Sequence, residues 1–311
     1  MTAEATGRSG RPAPEPLPSL DAFDIELPDP GRPLALADEH IAQAREALEQ
    51  RPEAAEPRAL LAHEMYDSGR VGEAERAYRE VLGSHPKHVR SLVGLAQILL
   101  DRGDMRGAGA LVDQALEANP RSILAAQKKI AVLLDGGDAR AAARLAEQAL
   151  ALNPESVTLQ AALGDAHRAL GNLQIAVDAY KTTVSLNPKW APGWTRLGEV
   201  LAEKGDLAGT IDALRTALTH NPDSYPAYRA LARIYLENNQ PEESVAAWTR
   251  ALRLRPEHGE PHQGMAGALL AAGRADEARH HAQEAARLGR AVSALLERIA
   301  PAPEPASAPE E

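Results

Sequence analysis

Apolar residues recur at helical spacing in short segments along most of the chain. In one segment Trp194, Leu197 and Leu201 are separated by three and four residues, and the same spacing returns 34 residues later from Tyr228. Residues three and four apart lie on one side of an α-helix, so each segment presents a single apolar stripe. The pattern predicts a series of amphipathic helices, each of which buries one face.

The helical segments repeat with a period of 34 residues. Prolines mark the period, at Pro52, Pro86, Pro120, Pro154, Pro188, Pro222 and Pro256. A residue that accepts a left-handed backbone lies within each period, at Gly69, Gly103, Gly137, Gly171, Gly205, Asn239 and Gly273. Because such a residue ends one helix and proline cannot continue another, each repeat is predicted to be helix, turn, helix, turn.

Seven full repeats are predicted when the proline is counted as position 32. They are 55–88, 89–122, 123–156, 157–190, 191–224, 225–258 and 259–292, and the seventh has Arg290 in place of the proline. A unit of 34 residues is below the roughly 40 residues at which a domain usually folds alone, so each repeat must bury its remaining face on a neighbour. Small residues at positions 8 and 20 are expected to let the two helices of a repeat approach closely. The predicted fold class is all-α, a superhelical solenoid.

The ends of the repeat array have a different composition. Residues 34–54 are predicted to form an N-terminal capping helix, equivalent to half a repeat, and residues 291–300 a C-terminal capping helix. Residues 1–33 and 301–311 are rich in Pro, Ala, Glu and Ser and are predicted to be disordered. Within the N-terminal arm, residues 19–30 alternate acidic and apolar side chains and include Phe23. This segment is interpreted as a cover for apolar surface, as a recognition motif, or as an internal ligand of the chain's own groove.

The repeat length, the paired helices and the recurring W/Y, L, G/A, Y, A, aromatic, A, P pattern resemble the tetratricopeptide repeat family over residues 55–292. The resemblance implies protein or peptide partners and a concave groove lined by first-helix positions 2, 5, 6, 9, 12 and 13. It indicates a non-enzymatic scaffold or adaptor that needs no cofactor and no metal. Similar repeat arrays are fused to glycosyltransferases, sulfotransferases and hydroxylases. A regulatory or substrate-presenting subunit for an enzyme on a separate chain is therefore the alternative.

Basic side chains stand at several of these groove positions. The candidates for peptide binding are Lys128, Arg168, Arg196, Arg229 and Arg233. Carboxylates share the same positions, at Asp165, Glu199, Glu203 and Glu237. Two interpretations stay open: a groove neutralised by pairs within one helix, such as Asp165 with Arg168 or Arg233 with Glu237, or a track for an acidic peptide held by arginine.

Composition narrows the class of partner. The formal charge is −10, from 34 basic and 44 acidic residues, and no run of Lys and Arg suits a nucleic-acid backbone. The chain has no cysteine, which excludes disulfides and thiolate chemistry.

No stretch approaches the roughly 18 apolar residues that cross a bilayer, so no membrane insertion is expected and a cytoplasmic location is the simplest expectation. His258 and His262 have metal-like spacing, but Gly259 and Pro261 lie between them at a predicted helix start, so the two are interpreted as ordinary surface histidines. The oligomeric state stays open.

The third repeat departs from the pattern of the others. Lys129 occupies position 7, which is Leu or Met in the other repeats, and alanine fills positions 4 and 24 in addition to position 20, which is small in every repeat. Lys129 is interpreted either as a side chain that extends its charge past a thin interface or as part of a soft joint in the solenoid.

Overall fold

The computed structural model describes residues 17–18, 35–51 and 54–299. Over these residues its regular secondary structure is α-helical, which confirms the all-α prediction. The helices that precede residue 205 are α1 Ala35–Gln50, α2 Ala55–Asp67, α3 Val71–Ser84, α4 Val89–Asp101, α5 Met105–Ala118, α6 Ile123–Asp135, α7 Ala139–Leu152, α8 Val157–Ala169, α9 Leu173–Leu186 and α10 Ala191–Lys204. Those that follow are α11 Leu207–His220, α12 Tyr225–Glu237, α13 Pro241–Leu254, α14 Gly259–Ala271, α15 Ala275–Arg287 and α16 Ser293–Ile299.

The described residues form two compact lobes. The N-terminal lobe contains α1 to α10, and the C-terminal lobe contains α11 to α16 together with Leu17 and Pro18. The segment 19–30 and the tail 301–311 lie outside the described residues, so the interpretations of them stay predictions. The number of repeats and their boundaries also stay predictions.

The turns between paired helices follow the predicted glycine positions. Gly137 has a φ of 81° and lies two residues after the end of α6, and Gly205 has a φ of 82° and directly follows α10. After α2, the backbone N–H of Arg70 donates to the carbonyl of Met65 at 2.8 Å, which satisfies one of the last carbonyls of that helix. The sequence prediction that helices break at these glycines is confirmed.

Small residues bring the two helices of a pair into close contact. Ser244 at position 20 donates its hydroxyl to the carbonyl of Ala232 at position 8, over 2.7 Å, and both residues are buried. Ala62 and Ala74 hold the same two positions in the first predicted repeat and are fully buried. The expected role of positions 8 and 20 is therefore confirmed in these two pairs.

At two junctions between neighbouring predicted repeats, an aromatic side chain packs on a glycine. The Tyr78 ring from α3 packs on Gly94 of α4, and the Trp248 ring from α13 packs on Gly264 of α14. A Cβ atom added to Gly94 would lie 2.6 Å from Cε2 of Tyr78. Glycine at position 6 thus lets an aromatic ring at position 24 lie against the backbone of the next helix.

Candidate functional site

A cavity opens among the first helices of the N-terminal lobe. It has a volume of about 190 Å³ and lies among α2, α4 and α6, with one contribution from α3. Its lining consists of His63, Tyr66, Tyr78, Arg90, Val93, Gly94, Gln97, Leu124 and Lys128. Apart from Tyr78, these residues occupy the first-helix positions 2, 5, 6, 9 and 12. Together with position 13, these positions are called the groove face below.

A chain of hydrogen bonds crosses this part of the groove face. The hydroxyl of Tyr66 donates to Oδ2 of Asp101 at 2.5 Å, and Nε2 of Gln97 donates to Oδ1 of the same carboxylate at 2.8 Å. The ammonium group of Lys128 donates to Oε1 of Gln97. Four side chains from three helices are thus held in one network, with the ammonium group at its end.

Two groups of the network have shifted pKa values. Burial, followed by the hydrogen bond to Asp101, raises the pKa of Tyr66 to about 12, so this hydroxyl stays a donor at neutral pH. Burial lowers the pKa of Lys128, and the charges of Asp101 and Asp135 oppose that effect. The group that accepts the Lys128 hydrogen bond is a neutral amide, which stabilises the ammonium charge less than a carboxylate would. An anionic ligand group would therefore suit this position.

The other basic candidates of the N-terminal lobe, Arg168 and Arg196, pair with carboxylates of neighbouring helices. Arg168 on α8 contacts Glu199 at 2.7 Å and Glu203 at 2.6 Å, both on α10. Burial opposes the charge of Arg168, but the hydrogen bond to Glu203 and the charge of Glu199 raise its pKa. Arg196 lies 3.3 Å from Asp165 on α8.

These contacts correct one detail of the sequence interpretation. Asp165 pairs with Arg196 across helices, not with Arg168 on its own helix. Asp165 also accepts the Tyr180 hydroxyl at 2.6 Å, and the Arg196 guanidinium lies 5.6 Å from the centre of the Trp190 ring. Spacing along one helix could not reveal this pair, because the distance between Asp165 and Arg196 depends on how α8 and α10 are placed.

Arg229 and Arg233 lie in the C-terminal lobe, both on α12. Arg229 contacts Glu260 of α14 at 3.4 Å, and Glu260 also accepts the hydroxyl of Tyr225 at 3.0 Å. Arg233 lies 3.9 Å from Glu237, as expected within one helix, and both side chains are about two-thirds exposed (67% and 66%). Each lobe thus carries its own set of basic candidates with its own carboxylate partners.

Sequence reasoning missed the cavity and the polar network beside Lys128. Tyr66, Gln97 and Asp101 did not stand out, because each occupies an ordinary groove-face position. The available signal was the pair formed by Tyr78 at position 24 and Gly94 at position 6 of the next repeat, which brings a ring under a helix backbone that has no side chain at that point.

The histidines pair differently from their spacing in the sequence. Nδ1 of His262 lies 3.0 Å from Nδ1 of His281, so His262 pairs across helices. Over residues 17–18, 35–51 and 54–299, no group of three or more His, Cys, Asp or Glu side chains could hold a metal ion. In the same part of the chain, no helix is both long enough and apolar enough to cross a membrane.

Comparison with protein families identifies the repeat. Residues 59–123, 130–189 and 229–293 match a family described as tetratricopeptide repeat, and residues 201–248 match a second family of that description. The first family alone matches more than half of the chain. The chain belongs to the tetratricopeptide repeat family. Members of this family are typically non-catalytic scaffolds for protein–protein interaction, and the chain has the fold of such a scaffold.

Solved structures show the same solenoid fold. The crystal structure of the APC/C hetero-tetramer Cut9–Hcn1 aligns with a TM-score of 0.64 and 18% identity. The alignment covers 75% of this chain and 46% of the chain in that structure. A tetratricopeptide repeat protein from Parabacteroides merdae aligns with a TM-score of 0.59 and 15% identity over 79% of this chain and 97% of that one. The thermophilic tetratricopeptide repeat protein TTC0263 of Thermus thermophilus aligns with a TM-score of 0.55 and 25% identity over 58% of this chain and 99% of that one. No curated protein matches the sequence.

Proposed function

We propose that this tetratricopeptide repeat protein is a non-enzymatic scaffold or adaptor whose groove face binds an extended, carboxylate-bearing segment of a partner protein. The observation that carries the proposal is the cavity beside Lys128. A volume of about 190 Å³ is smaller than the roughly 300–1,000 Å³ of usual small-molecule sites, and it suits a side chain of a bound peptide.

The chemistry of the cavity favours a carboxylate next to an apolar residue. His63, Arg90 and Lys128 supply nitrogen donors, while Val93 and Leu124 supply apolar surface. Lys128 is half-buried, and a ligand carboxylate would pair its ammonium group with an opposite charge in place of the neutral amide of Gln97.

The arginines differ in how readily they could exchange an internal carboxylate for one from a ligand. Arg233 is the easiest, because its pair with Glu237 is long, exposed and therefore weak. Arg168 is the hardest, because two glutamates hold it at hydrogen-bonding distance. We place the principal anion contact at Lys128, with Arg196 as a secondary contact on the groove face of the same lobe and Arg168 as a mainly structural cation. Arg229 and Arg233 are separate candidates for anion contacts on the groove face of the C-terminal lobe.

The experiment compares two fluorescein-labelled twelve-residue peptides by anisotropy. One alternates Leu with Glu, and the other alternates Leu with Gln. Lys128→Met removes the charge from the cavity, and Lys181→Met is the matched control because Lys181 is exposed on α9. We expect Lys128→Met to weaken binding of the Glu peptide about tenfold, equivalent to about 1.4 kcal/mol, which is near the low end for a hydrogen bond to a charged group.

The control measurements separate this effect from misfolding and from diffuse charge. Lys181→Met should bind the Glu peptide as the parent protein does, and both variants should retain the parent far-ultraviolet circular dichroism. The Gln peptide should bind more weakly than the Glu peptide, with a smaller salt dependence. Equal affinity for the two peptides, no binding of either, or equal losses in the two lysine variants would overturn the proposal.

A further inference from the structure

The turn between α12 and α13 differs chemically from the other turns between paired helices. Its sequence is Asn238-Asn239-Gln240, and Asn239 has a φ of 58°, the one positive φ of a residue other than glycine in the described part of the chain. In three other repeats, the position equivalent to Gln240 holds an aspartate: Asp104, Asp138 and Asp206. Each of these carboxylates accepts a hydrogen bond from the backbone N–H three residues further on and so caps the following helix. Gln240 makes no such cap for α13, and neither do Arg70, Asn172 and Arg274 at the same position of their repeats, so the feature particular to this turn is Asn239.

The Gln240 side chain instead contacts the main chain of the N-terminal arm. The backbone N–H of Leu17 donates to Oε1 of Gln240 at 2.7 Å, and Nε2 of Gln240 donates to the carbonyl of Leu17 at 3.0 Å. Asn238 supports this arrangement by donating to the same Oε1 at 2.8 Å. One amide group thus pairs with both polar groups of one residue, as a neighbouring strand would, and this pairing requires an extended segment.

A second residue of the same repeat contacts the arm. The hydroxyl of Tyr235 donates to the carbonyl of Pro18 at 2.7 Å, and the Tyr235 residue is fully buried. The equivalent position 11 holds Met65, Leu99, Leu133, His167, Leu201 and Leu269 in the other predicted repeats. Since a buried tyrosine hydroxyl needs an acceptor, the arm explains why this repeat alone has tyrosine there.

The arm sequence suits an extended conformation. Pro12, Pro14, Pro16 and Pro18 alternate with other residues, and a residue that precedes proline, as Leu17 does, is biased away from the helical region. Ordering such a segment costs less backbone entropy than ordering a flexible one. Three direct hydrogen bonds to side chains of the repeat therefore anchor the arm at Leu17 and Pro18.

We propose that Tyr235, Asn238 and Gln240 form a main-chain-binding site for an extended Leu–Pro segment, which Leu17 and Pro18 of the same chain occupy as an internal ligand. A partner segment with Leu–Pro in the same conformation binds there by displacing the arm. The site uses positions 11, 14 and 16, none of which belongs to the groove face, so it goes beyond the peptide-binding function proposed above and does not depend on it. The tethered arm acts at an effective concentration on the order of millimolar. An external segment must therefore bind more tightly than the arm or be present at a higher concentration to displace it.

The first test measures whether the arm is anchored. Because the chain has no cysteine, Ser19→Cys gives a single attachment site for a nitroxide label next to Pro18. We expect the electron paramagnetic resonance spectrum of the full chain to be that of an immobilised label, and Gln240→Ala or Tyr235→Phe to increase its mobility. Gln263→Ala is the matched control, because Gln263 lies in the same lobe and hydrogen-bonds Ala291 and Arg290 instead.

The second test measures displacement of the arm. A peptide of residues 13–22 should mobilise the label as it is titrated, and the same peptide with Pro in place of Leu17 should act roughly threefold to tenfold more weakly, because it lacks one hydrogen-bond donor. A label that is equally mobile in the parent and in Gln240→Ala would overturn the site. An immobile label that millimolar peptide does not release would overturn the exchange with a partner. A spectrum that changes on dilution would show an arm bound to a second copy and would overturn the internal ligand.

Discussion

The ammonium group of Lys129 lies 2.8 Å from Oδ1 of Asp113, an ion pair that joins α6 to α5. The Lys129 side chain is 19% exposed and that of Asp113 is 54% exposed. Around this pair the core of the third predicted repeat is built mainly from alanine, as the sequence indicated. The lysine stem thus occupies the place of a core leucine, while its charge reaches a carboxylate near the surface.

Replacing this lysine by leucine tests what the ion pair contributes. We expect Lys129→Leu to raise the free energy of unfolding by about 0.5–1 kcal/mol, because a partly exposed pair contributes about 0–1 kcal/mol and a buried leucine contributes more. Asp113→Ala should lower it in the parent chain and leave it unchanged in the Lys129→Leu background. Urea titration of the four proteins measures both effects. A loss of more than about 1 kcal/mol in Lys129→Leu would mean that the pair makes a specific buried contribution.

Two glycines of α14 allow a comparison within one helix. A Cβ atom at Gly264 would lie 2.7 Å from Cη2 of Trp248, whereas a Cβ atom at Gly267 would meet nothing within 4 Å. Gly264→Ala should therefore lower the free energy of unfolding by about 1–3 kcal/mol through overpacking. Gly267→Ala should raise it by about 0.5–1 kcal/mol, because alanine restricts the unfolded chain and favours the helix. Thermal unfolding of the two variants checks the opposite signs, and a shared sign would contradict the packing described at Trp248.

The turns were predictable from sequence because each depends on a local conformational requirement. Gly137 and Gly205 adopt the left-handed backbone that ends a helix, and proline prevents a helix from continuing, so residue type alone gives the position. The close contact of positions 8 and 20, seen at Ser244 and Ala232, followed from their small side chains in the same way.

The partners of the groove-face cations were not predictable, because they depend on how neighbouring helices are placed. Arg168 could reach Asp165 on its own helix, yet it contacts Glu199 and Glu203 of α10. Spacing along one helix identifies possible ion pairs only within that helix. Which of several carboxylates an arginine contacts depends on the three-dimensional arrangement of the neighbouring helices. The contact of Gln240 with Leu17 is a still clearer case, since 223 residues separate the two.

Asn239 tests the conformational requirement of the turn that binds the arm. Its φ of 58° is tolerated by asparagine and costs roughly 1–2 kcal/mol for a residue with an ordinary Cβ group. Asn239→Ala should lower the free energy of unfolding by about 1 kcal/mol, and Asn239→Gly should leave it equal or slightly higher. Differential scanning calorimetry of the three proteins measures the order. Unchanged stability in Asn239→Ala would mean that the turn adopts a different backbone in solution.

The last prediction concerns pH and the pair formed by His262 and His281. Burial, then the charges of His262 and His280, lower the pKa of His281, while Glu277 and Glu284 act in the opposite direction. Nδ1 of His262 faces Nδ1 of His281 at 3.0 Å, and Nε2 of His262 lies 3.3 Å from the carbonyl of Pro256. If His262 donates from Nε2 to the carbonyl of Pro256, its Nδ1 accepts the hydrogen bond from Nδ1 of His281.

A lowered folded-state pKa means that the unfolded chain binds more protons just below the ordinary histidine pKa of about 6.5. The stabilisation from neutral His281 is therefore present above that value and is lost as the pH falls through it. His281→Gln should reduce the slope of unfolding free energy against pH between about pH 7.5 and 5.5, whereas His220→Gln, at an exposed position, should leave that slope unchanged. Urea titrations across this range measure the slopes. Because the carboxylates with lowered pKa values at Glu277 and Glu284 lose their contribution at more acidic pH, the histidine effect can be read separately. An unchanged slope in His281→Gln would refute the assignment to this pair.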